Sequence, residues 1–197
     1  ALLPSEGDYY ATTKIDSENY IQKSKLDYSI FRLAAIMGNH KISKLMFHQP
    51  LNTALEIATP RDTARAFVNG IEKQNLLSKK IFNLGGGEMC RISYEGFLER
   101  SFTIFGLGKL NFPKYAFADK NFHCGFYADG NALEEIVHFR RDTLEDCFKM
   151  EVDKVSPIVK FFTSIFKTPV NSFLLQKSEP YEAYKNQDVK QMNHYFN

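Results

Sequence analysis

The feature that most constrains this chain is a helix-like stretch that leads directly into a strand-like one. Over residues 8–25, apolar or aromatic side chains recur at roughly helical spacing. Residues 27–38 form a short apolar run that ends in a glycine, which is typical of a buried strand followed by a turn. The sequence therefore predicts a helix over 8–25 and a buried strand over about 28–34.

The helix carries a phenol and an ammonium group one turn apart. Tyr10 and Lys14 are four residues apart, so they share one helix face. A cation beside a phenol favours the phenolate, and such a tyrosine can exchange a proton with a substrate hydroxyl near neutral pH. The spacing alone is not diagnostic, because Tyr181 and Lys185 repeat it in a polar stretch, where a surface pair explains it equally well.

A second helix start follows a short strand over residues 55–58. Thr59 is placed to cap this helix, Pro60 occupies its first position, and the pattern runs to about Lys73. Asp62 is interpreted as a residue of the capped first turn rather than as a substrate ligand. The side chains expected to face the core are apolar: Ala64, Phe67, Val68 and Ile71.

Three consecutive glycines follow a strand over residues 81–84. They suggest a phosphate-binding loop, but the dinucleotide fingerprint would require a further glycine where Cys90 stands. We therefore expect residues 85–87 to form a close-packed loop. Ser93 is predicted to cap the next helix, which should end at Gly106.

The C-terminal part is less regular. Residues 107–139 are aromatic and irregular, and the adjacent His123 and Cys124 lack partners at metal-ligand spacing, so no metal site is predicted. Residues 142–145 match a capping box at the start of a helix. The stretch from Lys177 onward is polar and is predicted to be a partly mobile tail.

Residues 156–168 form an apolar helix interspersed with lysines. Two interpretations stay open for it. The helix could pack on the neighbouring lobe, or it could present a basic amphipathic surface to a membrane or a protein partner.

Composition and charge exclude some classes of protein. The net charge is +2, from 25 basic and 23 acidic residues, without a basic block, so a nucleic-acid partner is not expected. Three widely spaced cysteines favour reduced thiols and a cytoplasmic location over a disulfide framework. No apolar run approaches the roughly 20 residues that a membrane span requires.

Taken together, these motifs resemble the extended short-chain dehydrogenase/reductases, the NAD(P)-dependent epimerase/dehydratase proteins, many of which act on nucleotide sugars. The resemblance rests on Tyr10, Lys14, Glu18 and the strand end over residues 32–38, and it continues through residues 59–67 and 81–88. It implies an α/β fold: the C-terminal part of a Rossmann-like doubly wound parallel sheet over residues 1–106, and a smaller, mostly helical substrate lobe over 107–197. Strands 28–34 and 80–84 should be parallel neighbours.

The resemblance also implies a chemistry. Tyr10 would exchange the proton of the substrate hydroxyl, and Lys14 would hydrogen-bond the nicotinamide ribose of NAD or NADP. Leu33, Ala34 and Ala35 would lie beside the nicotinamide. Many members that act on nucleotide sugars carry Pro and Asn where this chain has Leu33 and Ala35, a departure that bears on the substrate rather than on the redox class.

The Gly-rich turn that holds the cofactor pyrophosphate in this family is missing from the sequence. We therefore expect this chain to be the C-terminal portion of a longer NAD(P)-dependent oxidoreductase, epimerase or dehydratase, to be inactive alone, and to form a homodimer. The expected partner is a small-molecule substrate such as a nucleotide sugar, rather than a membrane. The alternative is a non-catalytic protein of the same fold that senses dinucleotides or binds partners.

Overall fold

The computed structural model describes residues 3–5, 7–37, 43–120 and 125–196, and the chain forms two compact units. We call the first the sheet unit and the second the helical unit. The sheet unit comprises Ala1–Met37, Glu56–Arg91 and Gly125–Leu144, and the helical unit comprises Gly38–Leu55, Ile92–Cys124 and Glu145–Asn197. The division into a cofactor domain over 1–106 and a substrate lobe over 107–197 stays a prediction.

Parallel strands form the centre of the sheet unit. Strand β1 (Ser29–Leu33) pairs in parallel with β4 (Lys80–Leu84), and the register runs from Ser29 opposite Lys80 to Leu33 opposite Leu84. A second sheet has the order β2-β3-β5 and contains β2 (Ala35–Ile36), β3 (Ala54–Ala58) and β5 (Arg91–Ser93), with β2 and β3 parallel. The predicted parallel pairing of strands 28–34 and 80–84 is confirmed, and so is the strand over 55–58.

Four helices accompany these strands: α1 (Tyr9–Lys23), α2 (Pro60–Ile71), α3 (Gln74–Leu77) and α5 (Asn131–Val137). The core of the sheet unit contains Ala58, Ala66, Leu77, Leu84, Leu133, Val137 and Phe139. Strand β1 is only half-buried, and its Leu33 is 44% exposed, so the prediction of a buried strand was wrong about burial. Helix α1 buries none of its own side chains, so it leaves this strand partly exposed to solvent.

Helix α2 begins as predicted but turns the unexpected face inward. The Thr59 hydroxyl accepts a hydrogen bond from the Asp62 N–H at 3.0 Å. The buried face consists of Asp62, Ala66 and Gly70, which are four residues apart and therefore aligned. The small residues let the helix approach its neighbours closely, since a Cβ on Gly70 would lie 3.2 Å from Leu77 Cδ1. The predicted core stripe is exposed, at 51%, 63% and 66% for its three largest members, Phe67, Val68 and Ile71.

The helical unit contains a 3₁₀ turn (Lys44–His48) and a series of helices. These are α4 (Tyr94–Phe105), α6 (Leu144–Val152), α7 (Pro157–Ile165), α8 (Lys167–Leu175), α9 (Glu179–Lys185) and α10 (Val189–Tyr195). The main core cluster of this unit contains Met46, Phe47, Phe102, Leu107, Ala116 and Leu174.

Two predictions for this unit have clear outcomes. Ser93 caps α4, and Gly106 ends it in the left-handed region at φ +81°, as predicted. The polar tail instead folds into α9 and α10, because it buries Ala183, Tyr195 and Phe196 in a second cluster. In the ranges that the structure describes, every helix falls short of the length and apolar character needed to cross a bilayer.

Candidate active site

Helix α1 brings Tyr10 and Lys14 together on an exposed surface. Asp8 caps the helix, because its carboxylate accepts a hydrogen bond from the Ala11 N–H at 2.8 Å. Tyr10 is 70% exposed, and the Lys14 ammonium lies 5.3 Å from the centroid of the Tyr10 ring. This is a cation–π contact with the ring, and it leaves the phenol accessible to a ligand.

An ion pair fixes α1 against β1. Arg32 donates from Nε to Glu18 Oε2 at 2.9 Å and from Nη2 to Glu18 Oε1. This two-point geometry fixes orientation as well as distance. The hydrogen bond to Glu18 raises the pKa of Arg32 above its ordinary value, although partial burial opposes the shift. Glu18 is the acidic residue that completed the sequence resemblance.

The ion pair bears on which end of β1 Tyr10 and Lys14 face. Only residues 24–28 link α1 to β1, so α1 runs back alongside the strand, with Glu18 opposite Arg32. Tyr10 precedes Glu18 by about 12 Å at 1.5 Å per helical residue. Residues 33–35 continue past Arg32 in the same direction at about 3.3 Å per residue. Tyr10 and Lys14 therefore lie toward the same end of the unit as residues 33–35.

That end is the carboxyl edge of the parallel pair. Leu33 and Leu84 are register partners, and the Ala34 N–H donates to the Leu84 carbonyl at 2.8 Å. Ala35 then begins β2. In open α/β sheets, ligands bind outside the carboxyl ends of the strands. The residues predicted to lie beside a nicotinamide are thus at the edge where that principle places a ligand.

The glycine loop after β4 is filled by the protein itself. A Cβ on Gly86 would lie 2.1 Å from the Ile57 carbonyl oxygen, and one on Gly85 would lie 2.0 Å from Glu56 Oε1. The Gly87 N–H donates to Glu56 Oε1 at 3.0 Å. The loop is therefore close-packed, as predicted, and an internal carboxylate holds its Gly87 N–H.

Glu56 is a buried acid that the sequence reasoning missed. It is fully buried in β3, and Arg91 Nε donates to its Oε2 at 3.0 Å. The sequence does contain a signal for it, a single acidic residue within the apolar strand Ala54–Ala58. Such a residue predicts a charged partner, because a buried charge requires one. Glu56 supports the loop and β5 rather than an exposed site.

Asp62 lies in the capped first turn of α2, as predicted, and its side chain has an additional tertiary role. It is 1% exposed, forms an ion pair with Arg65, and accepts hydrogen bonds from the N–H groups of Arg141 and Asp142 at 3.0 and 3.1 Å. It therefore anchors the segment that precedes α6. Because the Asp62 carboxylate is buried and bound by these groups, its role is structural.

The capping box predicted over residues 142–145 was wrong, although α6 does begin there. The Asp142 N–H donates to Asp62 rather than to Glu145. Glu145 instead forms a two-point ion pair with Arg100, with both distances at 2.7 Å. Asp142 and Glu145 thus bind residues that are distant in the sequence instead of each other.

The second Tyr-Lys pair provides an internal comparison. On α9, the Lys185 ammonium lies 6.0 Å from the Tyr181 ring centroid, so the contact is of the same type as that on α1. This pair belongs to the helical unit, which contains neither β1 nor β4. Position at a strand edge, rather than the contact itself, distinguishes Tyr10 and Lys14.

A charged cluster in the helical unit was also missed. His48 Nε2 lies 2.8 Å from Glu179 Oε2, Lys44 pairs with the same carboxylate, and the Tyr195 hydroxyl donates to it at 3.3 Å. Burial raises the pKa of Tyr195 to about 12 and lowers the pKa of His48 below its ordinary value. The cluster ties the 3₁₀ turn to α9 and α10. His123 and Cys124, and residues 38–42 at and after the predicted turn, lie outside the described residues.

No family model matches the sequence, and no curated protein matches it. Solved structures do match. The UDP-glucuronic acid 4-epimerase of Bacillus cereus, in complex with UDP-glucuronic acid and NAD, has a TM-score of 0.58 at 18% identity, covering 78% of this chain and 52% of that one. The dTDP-glucose 4,6-dehydratase of Bacillus anthracis in complex with NAD has 0.58 at 14% identity, covering 78% and 53%.

The UDP-glucose 4-epimerase of Bifidobacterium longum, in complex with NAD⁺ and UDP, has a TM-score of 0.55 at 14% identity, covering 77% of this chain and 58% of that one. The chain thus spans about half the length of these structures. Identities this low show the fold and not the activity. Over that half, the chain shares the α/β fold of these three structures.

Proposed function

We propose that this chain forms the catalytic-helix part of an NAD(P)-dependent epimerase, dehydratase or reductase that acts on a hydroxyl or keto group of a sugar-nucleotide-like substrate. One observation carries the proposal: the Glu18–Arg32 ion pair ties α1 to β1. From the rises of a helix and a strand we infer that Tyr10 and Lys14 then lie toward the carboxyl end of β1. The three solved structures support it, since each contains NAD and two also contain UDP-glucuronic acid or UDP.

The residues divide the chemistry between them. A nicotinamide, when bound, would supply hydride transfer at the substrate carbinol carbon. The exposed Tyr10 phenol would exchange the proton of the substrate hydroxyl. Lys14 would hold the cofactor through its ribose, and its charge would stabilise the negative charge that develops on the Tyr10 oxygen as the proton leaves.

The fit to a dinucleotide is partial. Leu33, Ala34 and Ala35 offer small or exposed apolar surface for a flat ring, and the Lys14 ammonium suits a ribose hydroxyl. Residues 85–87 do not suit the pyrophosphate, because Ile57, Glu56 and Arg140 occupy the space around the glycines. A Gly-rich turn, in the same polypeptide or in a partner, must hold that group. We therefore expect this chain alone to be inactive and to bind NAD(P) with a Kd of about 1 mM or weaker, about 4 kcal/mol or less.

We further propose that the chain forms a homodimer through α1. Helix α1 buries none of its side chains, and it exposes Tyr9 at 83% and Tyr20 at 77%. Exposed aromatic side chains on one element are typical of an interface. Sedimentation should therefore give a dimer that Tyr9→Ser/Tyr20→Ser dissociates. A monomer at micromolar concentrations would contradict this proposal.

A non-catalytic protein that senses dinucleotides or binds partners is the second candidate function. The observation that favours it is the Tyr181–Lys185 pair, which makes the same cation–π contact on a helix of the helical unit, whereas β1 and β4 belong to the sheet unit. A contact that recurs in a structural helix needs no catalytic role.

Turnover of a matched pair of variants distinguishes the two. The protein expressed from the complete reading frame is assayed with NAD or NADP and a panel of UDP- and dTDP-sugars. Tyr10→Phe should lower kcat by about 10² to 10⁴, the usual worth of general acid–base catalysis, and should leave cofactor affinity unchanged because the ring remains. Tyr181→Phe, the control, should turn over normally. Undiminished turnover of Tyr10→Phe would exclude Tyr10 as the acid–base group, and cofactor binding without turnover would favour the sensing protein.

A further inference from the structure

Helix α7 presents an apolar face to solvent. Its large apolar side chains, together with that of Phe166 directly after it, occupy an arc of about 160° at 100° per residue. Lys160 lies on the opposite side of α7, and Lys167 begins α8. The side chains of this arc are each 54–68% exposed: Ile158, Val159, Phe161, Phe162, Ile165 and Phe166. Phe173 of α8 adds a further ring at 57% exposed.

The outward orientation follows from how α7 is seated. A Cβ on Gly106 would lie 2.6 Å from the Lys160 carbonyl oxygen and 3.2 Å from Lys160 Cγ. The helix thus contacts the end of α4 along its lysine side. A surface helix ordinarily buries its apolar stripe and exposes its charges, so the arrangement of α7 is reversed. Helix α7 does pack on its own unit, as one of the two sequence interpretations expects, but it does so through its lysine side and leaves its apolar side exposed.

Within the sequence of α7 and α8 the charged residues are all lysines. Residues 155–178 contain Lys160, Lys167 and Lys177 and no acidic residue, and the Lys177 ammonium lies 5.1 Å from the Phe173 ring centroid. Protein interfaces are depleted of lysine. An apolar face of aromatic and aliphatic side chains with lysines on the other side is instead typical of helices that lie in the headgroup region of anionic membranes.

We propose that α7 and the first two turns of α8, which we call the α7–α8 surface, bind an anionic lipid bilayer in the plane of its headgroups. Helix α7 is nine residues long, about 14 Å, far short of the roughly 30 Å hydrocarbon core. The apolar side chains enter the acyl boundary, and the lysine stems reach back to the phosphates. This inference is independent of the proposed enzymatic function.

The test is the partition of the full chain between buffer and vesicles. Phosphatidylcholine vesicles with phosphatidylserine should bind it, and vesicles of phosphatidylcholine alone should bind it much less. Phe161→Ser/Phe162→Ser should lower the partition coefficient by about 10- to 30-fold, since each ring buries its exposed half. Replacing Lys160, Lys167 and Lys177 by glutamine should cost about fivefold per lysine on the anionic vesicles only, and added salt should weaken binding of the wild type.

The chain offers a matched control. Val68 and Ile71 on α2 are 63% and 66% exposed, so Val68→Ser/Ile71→Ser removes a similar exposed apolar area from the sheet unit. This control should bind vesicles like the wild type, and circular dichroism should show both double variants folded. Equal binding to both kinds of vesicle, or no binding to either, would overturn the proposal. A soluble dimer that Phe161→Ser/Phe162→Ser dissociates would also overturn it, because that result would identify a protein interface.

Discussion

Replacing Gly86 by alanine tests the close packing of the glycine loop. The added Cβ would lie 2.1 Å from the Ile57 carbonyl oxygen, 2.6 Å from Cys90 Cβ and 2.8 Å from Cys90 Sγ. The first of these atoms belongs to the backbone of β3, so a change of rotamer cannot relieve the overlap. The loop or the strand must move by about 1 Å to restore an ordinary contact, and a well-packed core resists such movement.

The expected cost is large for a single methyl group. Overpacking commonly costs 1–3 kcal/mol and occasionally more, so a backbone clash of this size should lower the free energy of unfolding by about 3 kcal/mol or more. That corresponds to a fall in Tm of about 6–12 °C for a chain of this length. Thermal unfolding followed by the near-ultraviolet circular dichroism of the aromatic residues measures it.

Two other glycines separate the clash from backbone strain. Gly108 has φ +80° with nothing within 4 Å of its Cβ position, and Gly125 has open space without a positive φ. Gly108→Ala should therefore lower the free energy of unfolding by only about 1–2 kcal/mol, the cost of backbone strain. Gly125→Ala should leave the free energy of unfolding unchanged. A Tm for Gly86→Ala equal to that of Gly125→Ala would refute the close-packed loop.

Three further predictions concern the charged groups. Arg91→Ala should lower the free energy of unfolding in urea by about 3–5 kcal/mol, because it leaves the buried Glu56 carboxylate without its partner, and Arg91→Ala/Glu56→Gln should recover part of the loss. Burial raises the pKa of Tyr195 from 10.0 to about 12, so its contribution to stability is present below pH 10 and is lost as the pH rises toward 12. In Tyr195→Phe, the free energy of unfolding in urea should therefore fall less over this pH range than in the wild type. The hydrogen bond from Arg100 lowers the pKa of the exposed Glu145 below its ordinary 4.5, so the pair stabilises the fold above pH 4.5 and that contribution is lost as the pH falls through the lowered pKa; Arg100→Gln should remove this acid-side dependence.

Local chemistry made several elements predictable. The Thr59 and Ser93 caps, the helix end at Gly106 and the parallel pairing of β1 with β4 depend on nearby residues or on a general rule of connection. The close packing of residues 85–87 followed from the missing glycine at Cys90. These features would be similar in many contexts, so the sequence predicts them well.

Tertiary partners decided the features that the sequence could not predict. Asp62 matches a helix start, but the N–H groups that it binds belong to residues 141 and 142, far along the chain. The stripe of Phe67 and Val68 has helical spacing, yet the smaller Ala66 and Gly70 permit a closer approach and take the buried side. Helical spacing alone does not reveal which of two faces will find a partner.

For the candidate site, the sequence indicated the residues and the structure added their arrangement. Helical spacing placed Tyr10 and Lys14 on one face, but it did so equally for Tyr181 and Lys185. The contact between Glu18 and Arg32, fourteen residues apart, distinguishes the first pair by orienting α1 along β1. Which atoms a cofactor would contact stays a prediction.

The most direct test of the central claim uses half of the cofactor as the probe. Nicotinamide mononucleotide is titrated into the isotopically labelled chain, adenosine monophosphate is titrated in parallel, and backbone amide shifts are recorded by nuclear magnetic resonance. We expect shifts at Tyr10, Lys14 and residues 33–35 with the nicotinamide compound only, at a Kd of about 1 mM or weaker. Shifts centred on residues 85–87, equal shifts with adenosine monophosphate, or no shifts at Tyr10 and Lys14 would contradict it.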